Sequence, residues 1–210
     1  MNQPDTRDRL IEAAAALFAE EGFWGASLRT ITERAGANLA AVSYHFGGKE
    51  GLLEAVVQRA IGAVNAERLR RLAVLERMER PGVRDLVRAM VDPCFDCADP
   101  GGFAAFFGIL ARVEQEVPEA LQGIMQRRFA PVLAAFRSGL ARVLPDMPPV
   151  RLELRLAMAA GAFMKSMMVL SGCGLVAPAA NPPAGPDAVR RELIAFLEGG
   201  LTAADPELAA

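Results

Sequence analysis

The residues whose types and spacing point to a specific chemistry lie between positions 27 and 49. Ser27 has the side chain of a helix N-cap, and the segment after it ends at Gly36. Asn38 is a second cap, and its segment ends at Phe46-Gly47-Gly48. Two short helices joined by a tight turn have the dimensions of a helix-turn-helix, whose second helix enters the DNA major groove. The spacing alone also fits an ordinary pair of packed helices.

The segments that would position this unit are all predicted to be helical. Ile31, Ala35, Val42 and Phe46 would pack the two short helices together. Apolar spacing and stop signals predict nine helices, over 6–22, 28–35, 39–46, 49–77, 81–98, 103–115, 117–144, 150–171 and 186–201. Thr6 is the predicted N-cap of the first helix. Pro131 is expected to kink or divide the helix over 117–144. We find neither a strand pattern of useful length nor an internal repeat. The sequence therefore predicts an all-α protein of about nine helices.

Composition limits the class of protein. The chain has 210 residues, of which 52% are hydrophobic and 23% charged, and its mean hydropathy is +0.23. These values exclude disorder and favour an apolar cavity or an oligomer interface. The formal net charge is −2, so nucleic-acid binding must come from a local surface and not from the overall field.

The cellular compartment is predicted from the number of cysteines and from the N-terminal residues. Three cysteines are too few for a disulfide framework, and the start at Met1 shows no signal peptide, so we expect a cytoplasmic protein. Residues 156–180 hold a single charge, Lys165, but they include small residues, and Gly172 and Gly174 interrupt the apolar pattern. We interpret this stretch as a buried or dimer-interface helix, and we expect no membrane association.

The N-terminal motifs resemble those of the TetR family of bacterial transcriptional regulators. The resemblance rests on four runs in order, GFWGASLRTI at 22–31, AGAN at 35–38, VSYHF at 42–46 and KEGLL at 49–53. It covers about 50 residues. It implies an Ω-shaped homodimer with a DNA-binding domain, here residues 1–48, and a ligand-binding and dimerisation domain, here residues 49–210. Double-stranded operator DNA with a pseudo-palindromic sequence is the implied partner.

The same resemblance implies roles for individual residues. The DNA-binding set is Ser27, Arg29, Thr30, Asn38, Leu39, Ala40, Ala41, Ser43, Tyr44, His45 and Lys49. Within it, the family makes phosphate contacts at 27, 38, 43, 45 and 49, and its base-facing side includes 29, 39, 40, 41 and 44. Two of these roles have alternatives, because His45 also fits a plain helix-ending residue and Arg29 also fits a phosphate contact. Ser43 departs from the family, which very often has an aromatic residue there.

Positive charge around this unit is sparse. Residues 24–50 carry three basic side chains and two acidic ones, a net charge of +1. We therefore expect affinity to depend on dimerisation, helix ends and hydroxyl contacts more than on bulk attraction.

The C-terminal half is predicted to hold an apolar effector. Its clusters of aromatic and methionine residues at helical spacing supply the candidate ligand-binding set, Phe103, Phe106, Phe107, Leu110, Met125, Phe129, Met164 and Met167. Each of these also fits ordinary core packing. Four arginines are candidates for an acidic head group, Arg112, Arg127, Arg128 and Arg155. Residues 37–47 and 155–172 resemble a TetR subgroup that includes regulators responding to long-chain fatty acids, and a drug-like or aromatic effector remains an equal alternative.

The last two helices are predicted to form a homodimer interface. The predicted contact residues are Leu152, Leu156, Ala159, Ala160, Phe163, Leu193, Phe196 and Leu197. Cys94 and Cys97 are too few ligands for zinc and are interpreted as packed thiols, with a thiol sensor as the alternative.

These predictions combine into one function. We expect a sequence-specific transcriptional regulator, a repressor that its effector releases from the operator. We expect no catalytic site, cofactor or metal, because the chain has one histidine, no nucleophile elbow and no glycine-rich phosphate loop. The alternatives are a ligand-responsive activator and, from another class, an enzyme or carrier built on a helical bundle.

Overall fold

The computed structural model describes residues 5–96, 119–170 and 185–204, and every regular element in these ranges is a helix. The helices are α1 (Thr6–Gly25), α2 (Leu28–Ala35), α3 (Leu39–Phe46), α4 (Lys49–Glu76), α5 (Val83–Val91), α6 (Pro93–Asp96), α7 (Glu119–Val143), α8 (Pro149–Leu170) and α9 (Pro186–Thr202). The predicted all-α class is confirmed. The helix predicted over 103–115 lies outside the described ranges.

Several predicted boundaries need correction. Thr6 is the first residue of α1, and Asp5 occupies the cap position instead. Gly22 interrupts α1 with φ of 77°, as its predicted role as a stop requires, but helical structure resumes and continues to Gly25. The segment predicted as one helix over 81–98 contains two helices, α5 and α6. Pro131 lies inside α7 without dividing it.

The chain forms two compact units. Within the described residues, the first unit contains α1, α2, α3, α4 as far as Ala63, and α7 as far as Phe129. The second contains the rest of α4 and α7 together with α5, α6, α8 and α9. The helices α4 and α7 therefore belong to both units. The domain boundary at residues 48 and 49 stays a prediction.

The first unit is built around α1. This helix packs against α2 and α3, which also contact each other. Its apolar stripe is buried together with residues of α2, α3 and α4; the most completely buried members are Leu10, Ala14, Phe18, Ile31, Val42, Leu52 and Leu53. Because Ile31 and Val42 have no exposed surface, the short helices are held by their central turns and leave their other faces to solvent.

The second unit is centred on α9, which packs against α5 and α8. Leu86, Leu140 and Leu201 are at most 1% exposed, and Leu193 and Leu197 are also buried. Beside this apolar core, Asp92 accepts a hydrogen bond of 2.7 Å from Nε of Arg190. None of the helices in the described ranges combines the length and the hydropathy that crossing a bilayer requires.

Candidate DNA interface

The turn between α2 and α3 is set by local hydrogen bonds. The Ser27 Oγ accepts from the backbone N–H of Thr30 at 3.0 Å, which caps α2 as predicted. At the other end, Gly36 adopts the left-handed conformation with φ of 59° and ψ of 40°. The N–H of Ala37 then donates to the carbonyl of Thr32 at 2.9 Å, which closes the helix. A glycine is favoured at position 36 because residues with a Cβ rarely adopt this conformation.

The helix α3 is capped in the same way and is exposed along most of its length. The Asn38 Oδ1 accepts from the N–H of Ala41 at 2.9 Å. Val42 is its only buried residue, and Tyr44 is 86% exposed. The predicted contact residues on α3 are Leu39, Ala40, Ser43 and Tyr44, which are exposed, and Ala41 and His45, which are half-buried. The arrangement leaves a surface free for a groove of DNA.

The start of α4 is fixed against α1 and α3. The Lys49 Nζ lies 4.8 Å from the ring centroid of Phe23, and its partial burial lowers the pKa of the ammonium group. Gly51 lies so close to the Phe46 carbonyl that a side chain there would overlap the oxygen. Neither Phe23 nor Gly51 was among the functional residues predicted from the sequence. Their positions within the GFWG and KEGLL runs were the available signal.

The arginines of this surface are already paired with carboxylates. The exposed Arg29 donates from Nε to Glu33 at 2.9 Å. Arg34 donates to both oxygens of Glu20, and this hydrogen bonding lowers the pKa of Glu20 and raises that of Arg34. The contact with Glu33 uses only the Nε donor of Arg29, and a guanidinium has four further N–H donors for a base or a phosphate. The sparse positive charge seen in the sequence is reduced further by these pairs.

Both parts of the chain match family sequence models. Residues 10–56 match the family described as bacterial regulatory proteins, tetR family, and residues 88–200 match the tetracyclin repressor-like C-terminal domain. The second match alone covers more than half of the chain. The protein belongs to the TetR family. Members of this family are transcriptional regulators that bind operator DNA.

Two proteins described as HTH-type transcriptional regulators, the first of them as a probable one, resemble this chain over part of its length. It is 48% identical over 52 residues to YttP of Bacillus subtilis, a quarter of each chain. It is 34% identical over 94 residues to BetI 1 of Chromohalobacter salexigens, 45% of each chain. The match thus spans less than half the length of these relatives.

Solved structures extend the likeness to the whole fold. PfmR from Thermus thermophilus aligns with 94% of this chain and 100% of its own, at 19% identity and a TM-score of 0.62. AmtR from Mycobacterium smegmatis aligns with 94% of this chain and 88% of its own, at 22% identity and a TM-score of 0.62. These likenesses show the TetR fold.

The predicted effector residues are only partly visible. Phe103, Phe106, Phe107 and Leu110 lie outside the described residues. Met125 and Phe129 are half-buried in the first unit, whereas Met164 is half-buried and Met167 is fully buried in the second. A single pocket formed by all of them stays a prediction.

Three of the four arginines proposed for an acidic head group have other partners. Arg155 donates to the backbone carbonyls of Leu201 and Ala203 at the end of α9. Arg127 and Arg128 both donate to Glu54. Arg112 lies outside the described residues. The structure therefore gives these side chains packing roles that the sequence did not indicate.

The second unit contains an open groove of about 270 Å³. It is lined by Arg70, Arg71, Val74, Leu75, Asp85, Arg88, Ala89 and Asp92. None of the predicted effector residues belongs to it. Its arginines are paired, since Arg70 and Arg71 both donate to Glu67 and Arg88 donates to Asp92. Five of its eight lining residues are charged, so the groove differs from the apolar pocket predicted from the sequence.

Proposed function

We propose that this TetR regulator is a homodimeric repressor that leaves a pseudo-palindromic operator when an apolar effector binds its C-terminal half. The observation that supports operator recognition most directly is α3, capped at Asn38, anchored by one buried residue and exposed at Tyr44. Two such helices in a dimer would reach successive major grooves about 34–36 Å apart. The site of action is then the cytoplasm, where bacterial DNA lies.

The contacts of each half-site follow from the exposed groups. Ser27, Asn38, Ser43, His45 and Lys49 are proposed to bind phosphates, because each offers a hydrogen-bond donor. Tyr44, with Leu39, Ala40 and Ala41, is proposed to face the bases; alanine methyl groups suit the methyl group of thymine. Arg29 is proposed to bind a guanine through its Nη donors, which the contact with Glu33 does not use.

Homodimerisation is proposed through an exposed apolar face of α8 and α9. Val150, Leu154 and Met158 recur at one-per-turn spacing on α8 and are 75%, 56% and 70% exposed. On α9, Phe196 is 68% exposed. The predicted interface residues Leu152, Leu193 and Leu197 are instead buried inside their own unit, whereas Phe196 was predicted and is exposed. Such an apolar face is stabilised by burial against a second copy.

Release by effector is proposed to act through α4. This helix begins beside α3 and belongs to both compact units. We suppose two positions of α4, of which only one suits operator binding. An effector that binds more tightly to the other position would lower operator affinity, by at most the ratio of its affinities for the two positions. Met164 and Met167 on α8 are the described candidates for contact with an apolar molecule.

The proposal is tested by selecting DNA fragments that the purified protein retains and then measuring binding by band shift. We expect a pseudo-palindromic site and protection of both half-sites. A Phe196→Glu variant should sediment near the monomer mass of 22.4 kDa and lose operator affinity, whereas Glu192→Gln on the same helix should do neither. A reporter gene should be expressed more when the effector is added. If the reporter gene is expressed more when the protein is bound to the operator than when it is not, the protein is an activator.

A further inference from the structure

Arg68 is the only buried arginine in the described parts of the chain, at 3% exposure. It lies on α4 within the second unit. Its Nε donates to the Met90 carbonyl at 2.8 Å, its Nη1 to Asn65 Oδ1 at 3.0 Å, and its Nη2 to Cys94 Sγ at 2.9 Å. These acceptors are a carbonyl, an amide and a cysteine sulfur. No carboxylate among residues 5–96, 119–170 and 185–204 forms an ion pair with Arg68.

Neighbouring arginines show that carboxylates are present in this region. Arg71, three residues further along α4, pairs with Glu67, Asp92 and Asp96. Arg190 pairs with Asp92 and Asp96. Both are more exposed than Arg68. Arg68, the most buried of these three guanidinium groups, therefore has no carboxylate partner among the described residues. The C-terminal end of α5 supplies only a partial negative charge, at the Met90 carbonyl. A buried cation in this condition is stabilised strongly by an anion.

The hydrogen-bonding capacity of Arg68 is also incomplete. A guanidinium has five N–H donors, and the three hydrogen bonds above use one each on Nε, Nη1 and Nη2. One donor is left on each terminal nitrogen. Two donors on adjacent nitrogens are the arrangement that binds both oxygens of one carboxylate.

An aromatic ring lies beside the guanidinium. The Arg68 Cζ lies 5.2 Å from the ring centroid of Phe163, a residue of α8. Met167, one turn further along α8, is completely buried, and Met164 is half-buried. A cation beside an aromatic ring, on a helix that also carries these two flexible methionines, suits a ligand with one anionic end and an apolar body.

We propose that Arg68 binds the carboxylate of the effector and that the effectors are apolar monocarboxylic acids. This inference rests on the proposed function, because it specifies the ligand that releases the operator. It assigns charge recognition to Arg68 in place of Arg112, Arg127, Arg128 and Arg155.

The test compares matched ligands that differ only in the charged group. Decanoic acid, methyl decanoate and 1-decanol are titrated into full-length protein by calorimetry and into the protein–operator complex by band shift. A second set, 4-butylbenzoic acid and its methyl ester, covers aromatic acids. We expect the wild type to bind at least one acid ten or more times tighter than its ester, and only that acid to release operator at low concentration.

The variants Arg68→Met and Arg68→Gln should bring the ratio of acid to ester affinity close to one. The ratio is measured within each variant, so a general loss of stability does not imitate the effect, and Arg68→Lys should keep part of the preference if Arg68→Met does not fold. Arg142→Met is the matched control, because Arg142 also donates to backbone carbonyls but is exposed. It should keep the wild-type ratio.

Three results would overturn the assignment. They are equal binding of acid and ester by the wild type, an unchanged ratio in the Arg68 variants, and release of the operator by an uncharged molecule while no acid binds. Each leaves the proposed operator-binding repressor intact. Failure to retain any specific DNA without ligand would instead overturn the proposed function.

Discussion

The backbone of Gly51 lies directly against the carbonyl oxygen of Phe46, so the end of α3 and the first turn of α4 touch without an intervening side chain. Gly47 and Gly48, both with positive φ, make the connection between them. This contact fixes the end of α3 relative to the first turn of α4.

A Cβ at position 51 should separate these two elements. We expect Gly51→Ala to lower the free energy of unfolding by about 1–3 kcal/mol, as overpacking does, and to weaken operator binding. The matched variant is Gly161→Ala in α8, where no atom lies within 4 Å of the added carbon. Through helix propensity it should raise stability by up to about 1 kcal/mol. Equal effects of the two substitutions in urea unfolding would contradict the importance of the contact.

Asn38 is predicted to serve both the helix and the DNA. Asn38→Ala should cost about 1 kcal/mol of stability, because the cap on the Ala41 N–H is lost. Asn38→Asp keeps a capping oxygen and should retain stability, but its negative charge should repel a phosphate. Melting curves and band shifts therefore separate the two roles. If Asn38→Asp binds operator as tightly as the wild type, Asn38 does not lie near a phosphate.

Tyr44 is exposed enough that its removal should not affect folding. We expect Tyr44→Ala to weaken operator binding by about 1–3 kcal/mol and to leave the melting temperature unchanged. Val42→Ala, on the same helix, should instead reduce stability, because Val42 has no exposed surface. Unchanged operator affinity for Tyr44→Ala would remove this residue from the interface.

Lys49 should contribute charge and not sequence preference. Lys49→Met is expected to weaken binding to all DNA sequences and to reduce the slope of log affinity against log salt by about one. Arg59→Met removes a charge on the same helix that is paired with Glu12, and should leave the slope unchanged. The measurement is a salt titration of operator and unrelated DNA. A change confined to the operator would show that Lys49 reads sequence.

The second unit should lose stability in acid. Hydrogen bonds from Arg70 and Arg71 lower the pKa of Glu67 from 4.5 to about 2. Burial would raise the pKa of Asp92, but hydrogen bonds from Arg190 and Arg88 outweigh it and the net shift is downward. A carboxylate with a lowered pKa in the folded state contributes stability above its unfolded pKa and loses it as the pH falls through the folded value.

We therefore expect the free energy of unfolding to fall between about pH 4.5 and about pH 2. Glu67→Gln should flatten this dependence, and its curve should approach that of the wild type at the acid end. Urea titrations at several pH values measure it. Parallel curves for the two proteins would show that Glu67 carries no linked stability.

The sequence predicted the DNA-binding unit well because its determinants are local. Ser27 and Asn38 cap the helices that directly follow them, and Gly36 closes the turn between them; each acts on neighbours within a few residues. The bounds of α2 and α3 are therefore those predicted. The contact between Gly51 and Phe46 was not predicted, because it depends on the backbone conformation of the whole connection between α3 and α4.

The C-terminal half was predicted less well because its determinants are tertiary. Helices α8 and α9 carry apolar residues on more than one face, so periodicity could not decide that Leu152 is buried and Met158 exposed. The sequence also does not indicate how deeply an arginine side chain is buried. Arg155 binds carbonyls near the end of its partner helix, and Arg68 is almost completely buried.

The pairing of Arg29 with Glu33 and of Arg34 with Glu20 has a consequence for how the operator is found. Sequence-independent attraction to DNA comes from unpaired positive charge, and sliding along a duplex depends on it. A protein whose DNA-binding arginines are paired with its own carboxylates should stay bound to unrelated DNA for a shorter time. This regulator should therefore locate its operator mainly by repeated collisions from solution, with occupancy that follows its free concentration closely and falls only modestly as competing genomic DNA is added.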